Sequence, residues 1–91
     1  MKAPSLKSHE AEILALKALT WLAQSPEELD RFVALTGVTL EDLRQRADNP
    51  EILAAVLDFL LADDSRLTGF CEAETTDPRA LNAARRALPG A

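Results

Sequence analysis

Ser25-Pro26-Glu27-Glu28-Leu29-Asp30-Arg31-Phe32-Val33-Ala34-Leu35-Thr36-Gly37 reads as one whole helix, with its start and stop written into thirteen residues. Ser25 supplies an N-cap, Pro26 the favoured first-turn proline, and Glu28 the N3 acid of a capping box. Gly37 suits the left-handed position that ends a helix. Between them Leu29, Phe32, Val33 and Leu35 lay down a narrow apolar stripe. The same punctuation recurs outward in both directions. Ser8 caps an earlier helix that runs to about Gln24. Thr39, with Asp42 three residues on, starts a short third helix ending near Ala47. Asn49-Pro50 starts a fourth, Asp63 or Asp64 a fifth, and Asp77-Pro78 a sixth that stops before Leu88-Pro89-Gly90. Six helices and no strand are expected, so the fold class is all-α, a single compact bundle.

Two of the helices are apolar around much of their circumference. At about 100° per residue, Leu14, Leu16, Ala18, Leu19, Trp21, Leu22 and Ala23 cover an arc of roughly 220°. Glu10, Lys17, Thr20 and Gln24 form the polar strip of that helix, with Ile13 stranded inside it. In the fourth helix Ile52, Leu53, Val56, Leu57, Phe59, Leu60 and Leu61 span about 200°. Arcs this wide belong to central helices covered on two sides. The narrower stripes (Leu40 and Leu43; Leu67, Phe70 and Cys71; Leu81, Ala84 and Leu88) mark covers.

Sliding the chain over itself by 38 residues brings Leu19 onto Leu57, Leu22 onto Leu60, Leu29 onto Leu67, Phe32 onto Phe70 and Leu43 onto Leu81. Trp21 meets Phe59, and the helix starts correspond as well, Ser25 with Asp63 and Thr39 with Asp77. A period of this size is the mark of helical arrays. With two copies only, it suggests a bundle of two pseudo-repeated three-helix halves. Residues 8–88 form the expected domain, between tails at 1–7 and 89–91.

The totals bound the function. A chain of 91 residues makes one domain and buries only about 60–65% of the surface its unfolded form exposes. Fifteen acidic against ten basic residues give a net charge of −5, which opposes phosphate binding and disfavours nucleic acid as a partner. The single Cys cannot form an intrachain disulfide and fits a reducing cytoplasm. Met1–Lys7 lacks the apolar stretch of a signal peptide, and no later run approaches the roughly 20 apolar residues of a membrane span. No glycine-rich phosphate loop or nucleotide fingerprint is present.

Candidate sites are few, and each has a plain structural alternative. Val33 to Arg46 has helix-turn-helix spacing, which makes Arg44 and Arg46 candidate DNA contacts. Glu41 and Asp42, however, open the would-be recognition helix and would repel phosphate, so a simple corner is the better reading. His9 and Cys71 are too few to hold a metal or build a Cys–His nucleophile. Cys71 reads as a core thiol. Asp58, between Leu57 and Phe59, shares its helical edge with Ala54, Ala55 and Ala62. That edge is either solvated or a small-residue seat for a partner helix, with Asp58 fixing the register. Trp21 is a core anchor or a partner-facing anchor. No catalytic constellation and no cofactor or metal site is expected.

The strings Trp21-Leu22-Ala23, Ser25-Pro26-Glu27, Arg31 to Gly37, Asp42-Leu43-Arg44 and Val56 to Asp63 resemble a family of small alphaproteobacterial proteins known only as a domain of unknown function. The likeness runs from about Glu10 to Arg86. It implies a bacterial cytoplasmic protein of about this length and carries no activity, cofactor or catalytic residue with it. The expectation is therefore a non-enzymatic protein-interaction or adaptor domain, with Trp21, Ala54, Ala55, Asp58 and Ala62 as the interaction face. Its partner is another protein or a second copy as a homodimer. A helix-turn-helix-like DNA-associated regulator is the alternative.

Overall fold

The six expected helices form where their caps place them. A computed structural model describes residues 7–89: α1 (Ser8–Ala23), α2 (Pro26–Thr36), α3 (Leu40–Gln45), α4 (Pro50–Leu61), α5 (Asp64–Ala73) and α6 (Pro78–Arg86), with no strand among them. Most of both expected tails lies outside the described residues. Thr39 and Asp42 make the reciprocal capping box that starts α3. Asn49 accepts from the backbone of Glu51 at 2.8 Å to start α4. Asp63 caps α5 and Asp77 caps α6. Gly37 ends α2 at φ 77°, inside the left-handed region that glycine enters without penalty.

Two starts differ from expectation. The backbone N–H of Lys7, the residue before α1, is met by the Glu10 carboxylate, while the Ser8 hydroxyl donates to the Ala87 carbonyl. Ser25 holds the cap position of α2 without a side-chain hydrogen bond. The capping box fails there because Glu28 is drawn across the fold to Arg66, a charged partner, at 2.7 Å.

Hydrogen bonds hold three cap carboxyls below the usual range. At Asp42 they come from Thr39, first from its backbone; at Asp63 chiefly from the backbone N–H of Arg66; at Asp77 first from the Arg79 side chain. A depressed folded pKa stabilises the fold above the unfolded-chain value of about 3.9, and that stabilisation is lost as pH falls through the folded value. Urea midpoints should therefore drop steadily from about pH 5 to pH 2. Replacing all three Asp by Asn should flatten that decline, and an unchanged decline would show that the caps do not carry it.

The core is apolar throughout the described residues, with no buried polar or charged residue. α4 is its centre: Ile52, Leu53, Ala54, Val56, Leu57, Phe59 and Leu60 are all buried. α4 packs on α1, α6, α5 and α2, and α1 packs on α4, α6 and α2, so both expected central helices are central. α1 buries the middle of the expected arc but not its edge, with Leu14, Leu19 and Trp21 packed partly buried against the core. Its buried residues are Ala11, Ala15, Ala18 and Leu22, while Leu16 is 37% exposed and Ala23 lies on the surface. Small side chains at this spacing let neighbouring backbones come close, and α6 answers with buried Ala83 and Ala84. Leu35, counted in the α2 stripe, is 71% exposed.

The 38-residue register is visible in the packing of the first two helices of each half. Trp21 of α1 meets Phe70 of α5 edge-on, with ring centroids 5.8 Å apart at 72°. Phe59 of α4 meets Phe32 of α2 in the same way, at 5.4 Å and 76°. Each pair becomes the other when 38 residues are added to one partner and taken from the other, which is the signature of a pseudo-twofold axis. Glu28 and Arg66 are themselves 38 residues apart and bonded to each other, so their ion pair lies on that axis. The third helices break the relation. α6 lies against both α1 and α4, whereas α3 keeps only sparse contacts with the other elements.

Candidate functional site

The pseudo-twofold relation converts the expected interaction face into two faces with different fates. Residues Glu51, Ala54, Ala55, Asp58 and Ala62 of α4 and its C-cap correspond to Ile13, Leu16, Lys17, Thr20 and Gln24 of α1 and its C-cap. On α4 this face is closed only at its middle, since Glu51, Asp58 and Ala62 stay exposed. Ala54 is buried in the core, Ala55 is half-buried, and Asp58 accepts from Arg85 Nε of α6 at 2.7 Å. At this edge, read from the sequence as either solvated or a seat for a partner helix, Arg85 of α6 reaches Asp58 from the same chain. Ala62 remains exposed. Trp21 stands apart from these four: its ring lies against Phe70, and a Cβ added at Gly69 would sit 3.3 Å from it. The five expected residues do not make one open face.

On α1 the corresponding face is open. Ile13 is 43% and Leu16 37% exposed. A groove of about 310 Å³ is lined by Ile13, Leu16, Lys17, Thr20, Trp21, Gln24 and Glu74. A second, of about 440 Å³, runs between α1, α2 and α3 over Leu19, Thr20, Ala23, Leu29, Leu40, Leu43 and Arg44. Thr20 lines both, so the two adjoin on the outer side of α1. Leu40, 44% exposed, adds an apolar wall to the second. Single exposed leucines are ordinary on a protein surface; Ile13, Leu16 and Leu40 stand exposed around two adjoining grooves. Sequence reading had the clue in Ile13, stranded in the polar strip, and passed over Leu16 because the apolar arc assigned it to the core.

The remaining candidates have their chemistry occupied or separated. Arg44 and Arg46 do not share a face. Arg44 lines the α1–α2–α3 groove and pairs with Glu41 at 3.8 Å, while Arg46 lines a different depression beside Val38, Asp42 and Asn49. Asp42, at the opening of the would-be recognition helix, is bound into its cap. Cys71 is buried in α5, and burial first, then the Asp77 charge, pushes its thiol above its ordinary range, away from the nucleophilic thiolate. Among the described residues no group of three His, Cys, Asp or Glu side chains is placed to hold a metal ion, and no helix is long and apolar enough to cross a membrane.

Six helices around an apolar core, with an open apolar face on α1, define an all-α helical-bundle protein. The chain belongs to the family described as a protein of unknown function (DUF3572), which it matches over residues 8–91. No curated protein and no solved structure matches it.

Proposed function

We propose that the protein is a non-enzymatic docking module of the bacterial cytoplasm that binds a protein partner through the outer face of α1. The observation that carries this reading is the contrast between the two related faces. The α4 face buries Ala54 and has Arg85 of α6 on Asp58, while the α1 face keeps Ile13 and Leu16 exposed beside two adjoining grooves. Apolar patches rimmed by polar side chains are the usual surface of protein recognition. Trp21, at the edge of the first groove, supplies an aromatic anchor of the kind that dominates binding energy. The family gives no activity that competes with this reading, and a lone buried thiol suits a reducing compartment.

The test is capture of partners by wild type and by Ile13→Glu/Leu16→Glu, with Ala62→Glu as the control on the other face. Partners retained by wild type and the control but lost by the double variant support docking on α1. Equal capture by all three overturns it.

A further inference from the structure

Of the six helices only α3 has no buried residue. Leu43 is its one apolar side chain packed, half-buried, against the core, and Leu40 stands 44% exposed. Comparison with α6, its pseudo-twofold counterpart, gives the reason. α6 is anchored by buried Leu81, Ala83 and Ala84, by Leu88 just beyond its end, and by Arg85 on Asp58. The corresponding residues in the first half are Leu43, Gln45, Arg46, Pro50 and Ala47. The leucine is kept. The two alanines that let α6 lie close to its neighbours become long polar side chains, and the arginine becomes an alanine. The place of Leu88 is taken by the first residue of α4. One anchor of α6 survives in α3.

What holds α3 is local to it. Thr39 and Asp42 cap it reciprocally, the Arg46 backbone N–H donates to the Asp42 carbonyl at 2.7 Å, and the Gln45 side chain donates to the Glu41 carboxylate. None of these bonds ties the segment to another helix. Depressions lie on both sides of it, the groove of about 440 Å³ toward α1 and α2 and one of about 190 Å³ toward α4. The flanking points are firmer: Val38 packs against the core, and Asn49 caps α4. A segment with few buried apolar contacts and solvent-facing hydrogen bonds opens at a fraction of the cost of global unfolding.

We infer that residues 39–48 form a flap that opens by local unfolding between Val38 and Asn49 while the other five helices stay folded. Opening withdraws Leu40, Leu43 and Arg44 from the groove they line, leaving the α1 and α2 side of it, with Leu19 and Leu29, facing solvent. The groove thus has a walled form and an open form. The inference stands on the packing of α3 itself and needs no docked partner.

Native-state hydrogen exchange of the whole chain, followed by NMR at a series of urea concentrations below the unfolding transition, tests it. The backbone amides of Leu43 and Arg46 should exchange at least about 100-fold faster, relative to their unstructured rates, than those of Leu57 and Leu60 in α4, and their rates should barely respond to urea. Leu81→Ala, which weakens the core away from α3, should speed exchange at Leu57 and Leu60 by about tenfold or more. It should leave Leu43 and Arg46 unchanged, because the flap opens on a core that stays closed. Equal protection at all four amides, or rates at Leu43 and Arg46 that climb with urea as steeply as those of α4, would overturn the flap. So would an equal acceleration of all four by Leu81→Ala. If that variant does not fold, the urea series on wild type decides alone.

Discussion

Phe32→Ala and Phe70→Ala should each cost about 3–5 kcal/mol and do so to a similar extent, within about 1 kcal/mol of one another. Both rings are fully buried, and each packs edge-on against one aromatic ring, Phe59 for Phe32 and Trp21 for Phe70. Removing either ring loses its transfer free energy, leaves a cavity, and abolishes an aromatic pair worth about 0.5–1.5 kcal/mol beyond area burial. A domain of this size has about 5–14 kcal/mol to lose, so either variant is driven close to unfolding at ambient temperature. Leu35→Ala, at a position 71% exposed, should move the urea midpoint by no more than about 0.5 kcal/mol equivalent. A severe effect at one Phe with a mild effect at the other would contradict the pseudo-twofold packing.

Arg66→Ala should be the most damaging polar substitution, at about 2–4 kcal/mol. The side chain is 10% exposed and has three attachments. Its Nε donates to Glu28 at 2.7 Å, its Nη1 donates to the Phe59 carbonyl at 3.2 Å, and its guanidinium lies 3.9 Å above the Phe59 ring. Truncation leaves Glu28 facing a cavity with only the more exposed Arg31, 3.8 Å away, as countercharge. Glu28 keeps 32% exposure, so water recovers part of the loss and the value falls below that of a fully buried pair. Glu28→Gln, which still accepts a hydrogen bond, should cost only about 1 kcal/mol. A double-mutant cycle on Glu28 and Arg66 isolates the coupling. Additive effects would show that Arg66 acts through Phe59 alone and that the ion pair contributes nothing of its own.

Sequence patterning made the helices legible because their ends are written in cap chemistry. Gly37, the Thr39–Asp42 box and the Asn49-Pro50 and Asp77-Pro78 starts each stand where they were expected. The core of α4 was legible for a different reason: its arc contains few small residues, so hydrophobicity and size point to the same side. In α1 they diverge. Ala11, Ala15 and Ala18 are weakly hydrophobic, yet they are buried because they admit close neighbours, and the larger Leu16 is left in solvent. A periodic hydropathy argument ranks Leu above Ala and so draws the apolar arc wider than the strip that is buried, taking in Leu16.

The face was half legible. The α4 edge around Ala54 and Asp58 reads from the sequence as either solvated or a seat for a partner helix, and sequence alone does not say that Arg85 of the same chain arrives there. The register of 38 residues was read from apolar matches, while the most informative pair on it, Glu28 and Arg66, is a pair of opposite charges that no similarity comparison aligns. The open α1 face is visible only in the structure, where Leu16 is exposed while its α4 counterpart Ala54 is buried.

Urea unfolding of Ile13→Glu/Leu16→Glu, at a protein concentration low enough to hold the chain monomeric, tests the vacancy of the α1 face most directly. Residues that serve a partner rather than the fold should be replaceable at no more than about 0.5 kcal/mol, with an unchanged denaturant slope. A loss of about 2 kcal/mol or more would mean that Ile13 and Leu16 are held by the chain's own packing and that the face is not free to dock anything.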